Sequence, residues 1–467
     1  MRYLAFILAA LTSAEMQAFG LAPRLVVNIT IDQLRTDYIE AFAPFYAQGG
    51  FRRLMRDGMV YDGAAYPFSP VDRASASATL STGTTPYYHG IIARQWLDRV
   101  SLQPVSCVDP ERGGGTASPV RLKTSTLGDE LKVSSNGSAV VYAFAPDRES
   151  AILSAGHAAD GAFWYQQGHW QGTPYYTAAP EWVKSYNRLH SSAKDQIPDI
   201  NDNVVDISLQ AISSAAMGRD DVSDMLYVTL SAASEDLKRA AIDHSQMEGI
   251  YRRLDHSLER LISGIERQVD HSRILFVVTS TGYVEAVPDD FEKYRIPTGN
   301  FYIDRTANLL NMYLGAIYGQ GRYVEQTFGN QIYINHKLVE QKRLAMSEIL
   351  SRCQEFLMQN AGVADVYTSS RLLTGNSDIL TLRNGFNAVL SGDIIVEVAP
   401  GWKLVNETTH TSYTSRAGVM PFPIIFMGTS IKPQHVSTPV TVDYIAPTIA
   451  KAIRIRAPNA CSASPLF

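Results

Sequence analysis

Five short apolar runs constrain this chain more than anything else in it. They are "LVVNITI" (25–31), "AVVYAFA" (139–145), "MLYVTL" (225–230), "RILFVVTS" (273–280) and "FPIIFMG" (422–428). Each is rich in β-branched residues and lacks strict polar alternation, which is the pattern of central strands covered on both faces. Helical stretches lie between them. "MEGIYRRLDHSLERLISGIERQV" (247–269) repeats apolar residues at helical spacing with charges opposite. Alternation of such strands and helices predicts an α/β fold, a doubly wound and mostly parallel sheet with helices on both sides.

The region 295–399 changes character. A helical pattern ("TANLLNMYLGAIYG"), an alternating strand ("NQIYINHK"), a long helix ("QKRLAMSEILSRCQEFLMQN") and a second alternating stretch ("ADVYTSS") follow one another. These predict a smaller α+β cap inserted into a core made of 21–294 and 400–467. Residues 1–20 carry one Arg, an apolar run and small residues, the layout of a secretory signal peptide, too short to span a bilayer comfortably. The mature protein is therefore expected in the periplasm or outside the cell, with no transmembrane segment.

A net charge of −5 with no basic stripe or arm argues against nucleic acid as a partner. The three cysteines, Cys107, Cys353 and Cys461, have no metal-knot spacing. They fit either one disulfide or isolated, half-buried thiols.

Ligands of an open α/β sheet bind beyond the carboxyl ends of its strands. Those ends here carry "NITIDQLRTDY", "VTLSAASEDLKRAA" and "FVVTSTGYVEAV", and a late loop carries "NETTHTSYTSR". Together with "SPVDRASASATLSTGTTPYYHGII", "GGFRRLMRDGMVY", "AILSAGHAADGAFWY" and "DYIAPTIAKAIRIRAPNAC", they make the chain resemble the alkaline phosphatase superfamily over essentially its whole length. Within that superfamily it is most similar to periplasmic phosphatases of the type I phosphodiesterase/nucleotide-pyrophosphatase-like branch. The resemblance implies an alkaline-phosphatase-like fold. In that family two zinc ions, held by Asp and His at strand ends, clamp a phosphoryl group and activate a Thr or Ser nucleophile. Phosphoryl transfer needs such a clamp because negative charge gathers on the attacking, leaving and nonbridging oxygens.

Carried onto this sequence, the resemblance implies that most of that shell is replaced. Asp32 matches the first family aspartate. His410 matches the late histidine, although Thr411 follows it where glycine is usual. The family's Asp and His of "T-D-x-x-x-H" fall on Ser234 and Lys238, with Glu235 and Asp236 close by, and its "D-H" dyad falls on Thr281 and Gly282. The nucleophile threonine falls on Arg73. A phosphate-binding asparagine falls on Arg94 and a lysine on Pro146, while an arginine is kept as Arg148. Two surviving ligands are too few for a two-zinc clamp, so no cofactor is expected.

Two readings of Arg73 stand. Arg73, Arg94 and Arg148 converge on a phosphate- or sulfate-like anion, for which guanidinium forks are suited. Alternatively, Arg73 neutralises a buried Asp32 that has lost its metal. Ser75 and Ser77 lack an evident base, Asp72 included, and His89 and His157 read as packed, hydrogen-bonded histidines. The expected function is that of a secreted, catalytically inactive relative, a pseudoenzyme that binds an anion or an envelope protein partner. The competing expectation is a zinc-dependent phosphomonoesterase or phosphodiesterase.

Overall fold

In the computed structural model of the chain, residues 21–110, 115–177, 179–190, 199–232, 244–283, 295–414, 420–428 and 430–467 are described. The predicted leader lies outside them. The chain starts the main sheet with β1 (Leu25–Asp32), β2 (Met59–Ala65), β3 (Val141–Ala145), β4 (Gly161–Gln166), β5 (His169–Gly172), β6 (Asp224–Ser231) and β7 (Ile274–Ser280). A second set follows: β8 (Gly299–Tyr302), β9 (Val324–Phe328), β10 (Gln331–Ile334), β11 (Val363–Thr368), β12 (Ile394–Val398), β13 (Trp402–Asn406) and β14 (Thr411–Thr414). The chain then returns to the main sheet with β15 (Phe422–Gly428), β16 (Gln434–Val436) and β17 (Val440–Thr441).

Among the described residues the main sheet has ten strands in the order β16-β2-β15-β7-β1-β6-β3-β4-β5, with β17 also on β2. β1 runs parallel to β6 on one side and β7 on the other, and β15 is antiparallel to both its neighbours. The mostly parallel α/β architecture expected from the apolar runs is what the chain adopts. All five runs are strands, within two residues of the expected bounds at each end.

Both faces of the sheet are covered, and the side-chain alternation of the strands divides them. Leu25, Val27, Ile29 and Ile31 of β1 join Phe276 and Val278 of β7 on one face. The helix α3 (His244–Glu266) covers it with Ile250, Tyr251, Leu254, Leu258, Leu261, Ile262 and Ile265, a buried stripe at helical period. Val26, Tyr227 and Val277 face the other way, beneath α1 (Arg73–Thr82) and α2 (Arg148–Ala155). The Ala- and Ser-rich sequences of these two helices leave little side chain between backbone and sheet, so their N-termini sit close over the strand tips.

The second set of strands builds separate sheets, β9-β10-β12-β11 and β8-β13-β14. They share a core with α4 (Ile303–Tyr318) and α5 (Met346–Met358), in which Phe301, Leu310, Leu314, Ile349, Leu357, Val396 and Leu404 are buried. The long helix expected from 341 starts only at Met346. A short helix, His336–Gln341, ends just before it, and Arg343 at φ 56° breaks the helical run between the two. The three cysteines are free thiols, two of them buried. No helix among the described residues is long and apolar enough to cross a membrane.

Candidate functional site

The parallel register aligns the tips of β1, β6 and β7: Asp32 lies opposite Ser231, and Ile31 opposite Ser280. Val26, Asn28, Thr30 and Asp32 share one face of β1, so this face turns polar toward the tip and ends in a carboxylate. Asp32 is only 3% exposed, against 33% for the Arg73 side chain above it.

The sequence places Arg73 by a helix cap. Asp72 is extended and accepts from the backbone N–H of Ser75, while the Ser75 hydroxyl in turn accepts from the Asp72 N–H, a capping box that starts α1 at Arg73. Ser75 is thereby spent on the cap. From that first helical position the guanidinium reaches Asp32. Nε and Nη2 of Arg73 donate to Asp32 Oδ2 at 3.1 and 2.5 Å. Thr281 Oγ1 donates to Asp32 Oδ1 at 2.8 Å, and Tyr283 OH to Oδ2 at 3.4 Å. Arg73 Nη1 also lies 3.6 Å from Asp147 Oδ2, at the N-cap of α2. Burial works against the charge on Arg73, but the Asp32 and Asp147 carboxylates outweigh it and hold the guanidinium above its ordinary range. Burial raises Asp147, with the Arg73 charge opposing.

Arg94 and Arg148 lie close by, pair with carboxylates other than those Arg73 meets, and share Glu149. Arg94 donates from Nε to Glu149 Oε1 at 3.3 Å, and its side chain is 66% exposed. Arg148 Nη2 reaches Ser106 Oγ at 3.3 Å, Asp109 Oδ1 at 3.5 Å and Glu149 Oε1 at 3.6 Å. The three arginines are thus strung along the consecutive residues 147–149, and each has at least one carboxylate partner.

The turn after β7 is shaped by Gly282. Its φ is 67°, and a Cβ there would stand 2.5 Å from the Tyr66 ring. Tyr66 is buried and donates its hydroxyl to the Ser280 carbonyl at 2.9 Å. An imidazole-bearing residue at this position would meet both a strained backbone and an occupied volume. His410 lies exposed at φ 53° on the turn between β13 and β14. Ser234 and Lys238, with the neighbouring Glu235 and Asp236, lie outside the described residues. Among those described, no group of three or more His, Cys, Asp and Glu side chains is arranged to hold a metal ion.

His89 and His157 are hydrogen-bonded at both ring nitrogens. His89 is fully buried between Thr79 Oγ1 (3.0 Å) and the Ile91 N–H (3.1 Å), and burial pushes its pKa down to about 3. His157 lies between the Asp129 carboxylate (2.9 Å) and the Leu122 carbonyl (3.0 Å), and the Asp129 bond raises it. Sequence reasoning missed Tyr66, Tyr283, Asp147 and Glu149. Asp147 had a signal, since "PDRES" carries a helix N-cap with Ser three residues on.

A model of the type I phosphodiesterase / nucleotide pyrophosphatase family matches residues 26–419. The chain belongs to this family. Among this phosphodiesterase-family chain's relatives are alkaline phosphatase PhoV of Synechococcus elongatus, 24% identical over 94% of this chain and 91% of the relative, and alkaline phosphatase PafA of Elizabethkingia meningoseptica, 23% identical over 95% and 94%. A Myroides odoratus protein named calcium-transporting ATPase is 25% identical over 99% and 96%. The crystal structure of wild-type PafA superposes with a TM-score of 0.81 at 23% identity, covering 95% of this chain and 98% of that one. Murine ectonucleotide pyrophosphatase / phosphodiesterase 5 follows the same fold at a TM-score of 0.59 and 12% identity, over 92% and 95%. The phosphodiesterase-family chain thus has the alkaline-phosphatase-like architecture, with Asp32 at the tip of its central strand.

Proposed function

We propose that this phosphodiesterase-family chain has given up ester hydrolysis and acts by binding, as a secreted or periplasmic pseudoenzyme. One observation carries the reading: the Arg73 guanidinium sits on Asp32, the one matched metal-ligand position that lies at a strand tip. Thr281 and Tyr283 supply the other bonds to that carboxylate. The described residues do not fit a two-zinc clamp. Asp32 already accepts from a cation and two hydroxyls, Gly282 occupies a turn that has no room for an imidazole, and His410 is a solvent-exposed turn residue.

Of the two ligand classes, a protein partner fits better than a free phosphate or sulfate. Arg73, Arg94 and Arg148 face Asp32, Asp109, Asp147 and Glu149, so an added anion meets carboxylates as well as guanidiniums. The test is metal analysis of the purified protein, together with turnover of a chromogenic phosphate monoester and diester. No stoichiometric zinc and no turnover above buffer are expected. Stoichiometric zinc with hydrolysis that is lost in Asp32→Ala would establish the competing reading, an active metal-dependent phosphoesterase.

A further inference from the structure

Most buried polar groups in a folded protein have a hydrogen-bond partner, and three that depart from this rule lie together under α1. Asn28 and Thr30 of β1 share the face that ends in Asp32, and the register sets Asn28 beside Tyr227 of β6 and Thr30 beside Thr279 of β7. Asn28 is 9% exposed, Tyr227 7% and Thr279 3%. Among the described residues, Asn28 Nδ2 and Thr279 Oγ1 have no hydrogen-bond partner. The Gly128 N–H approaches the Tyr227 oxygen, but the hydroxyl proton has no acceptor among those residues. Asn28, Tyr227 and Thr279 line one cavity of about 20 Å³, roofed by Leu80 and Ser81 of α1 and by Ile445 of the helix Ile445–Ala452. Ser81 turns its own proton elsewhere, to the Leu153 carbonyl at 2.7 Å. No charged side chain among the described residues lines the cavity.

We propose that this cavity is a binding site for one ordered water molecule, which joins β1, β6 and β7 through their side chains. Size and charge select the occupant. One water needs roughly 10–15 Å³ of such space, so one fits and a larger ligand does not. A lining without charge gives neither an anion nor a cation the partner that a buried ion needs. An apolar occupant would leave the three polar groups unpaired. Water suits all three: it accepts from Asn28 Nδ2 and the Tyr227 hydroxyl and donates to Thr279 Oγ1. Three bonds are usual for a buried water. Burial keeps Tyr227 protonated, and so a donor, because a phenolate there would be desolvated. The site lies four residues down β1 from Asp32, about 13 Å at the rise of a strand. It shares no residue with the Arg73 cluster and stands however that cluster is read.

Crystals of the full chain grown with sodium bromide test this. A solvent peak is expected within hydrogen-bond distance of Asn28 Nδ2 and Thr279 Oγ1, with no anomalous signal at the bromine edge. Asn28→Leu fills the space with a side chain of similar size and removes the donor, so it should lose the peak. Oxygen-17 relaxation dispersion of that variant in solution should count one long-lived internal water fewer than wild type. Thr279→Ser, which keeps the hydroxyl, should retain the water. Wild-type density with no peak in the cavity would overturn the proposal, as would a peak that persists in Asn28→Leu. An anomalous bromide peak would also overturn it and assign the cavity to a halide. If Asn28→Leu does not fold, the wild-type density alone decides.

Discussion

Two buried aspartates in this molecule are neutralised in different ways. Asp32 at the tip of β1 is met by an arginine that keeps its charge and by two hydroxyls. Asp393, just before β12, is met by an arginine and a histidine. Arg99 reaches it at 3.1 and 3.2 Å from the turn of the hairpin formed by Gln95–Leu97 and Pro104–Ser106, and His336 Nε2 lies 2.8 Å away. The Ile334 N–H is a third partner. The first arrangement is hard-wired; the second, which ties the hairpin to β10 and β12, has a partner that responds to pH. A carboxylate with a permanently charged partner and one with a titratable partner are thus separable by experiment.

The largest effect should come from breaking the hard-wired pair. Arg73→Ala strands Asp32 in the interior and should cost about 3 kcal/mol of unfolding free energy. Adding Asp32→Asn should recover most of that loss, because the uncompensated charge is gone. Urea denaturation of the three proteins checks it, and an Arg73→Ala protein as stable as wild type would contradict the pairing. Gly282→His comes next, at about 2 kcal/mol, since it forces a β-carbon onto the Tyr66 ring at positive φ. Urea curves of this variant taken with and without zinc should coincide.

The latch sharpens the contrast through pH. The Asp393 hydrogen bond raises the pKa of His336, with burial opposing and the Asp393 charge adding to the rise; Arg99 lowers it and Glu325 raises it. A raised folded-state pKa stabilises fully below the ordinary value near 6.5 and loses that stabilisation as pH climbs through the folded value. His336→Gln should therefore cost more at pH 5 than at pH 9. The difference should be about 0.5 kcal/mol, small because the imidazole is largely exposed. The cost of Arg73→Ala should run the other way, smaller at pH 5 than at pH 9, because protonation relieves a stranded carboxylate. Arg94→Ala, with its guanidinium mostly in solvent, should change stability by less than about 0.5 kcal/mol.

The five core strands were legible because β-branched runs without polar alternation have few other places to go. The pairing of Arg73 with Asp32 was legible as one of two readings, because a buried carboxylate needs a cation nearby. What escaped were contacts made across long sequence separations. Tyr66, Tyr283 and Glu149 are ordinary residues until the register of β1, β6 and β7 brings the strand tips together. Asn28 and Thr30 did carry a signal, a polar alternation leading to Asp32 within a run read as an apolar central strand. The early start assigned to α5 failed because one left-handed residue, Arg343, has no marker in its own side chain.

Diffraction at the zinc absorption edge, from crystals grown with zinc in excess, tests the central claim most directly. The account predicts no anomalous peak beside Asp32 and Nη2 of Arg73 still within hydrogen-bond distance of Oδ2. Two anomalous peaks at the strand tips, with Asp32 turned away from Arg73 to coordinate one of them, would contradict it.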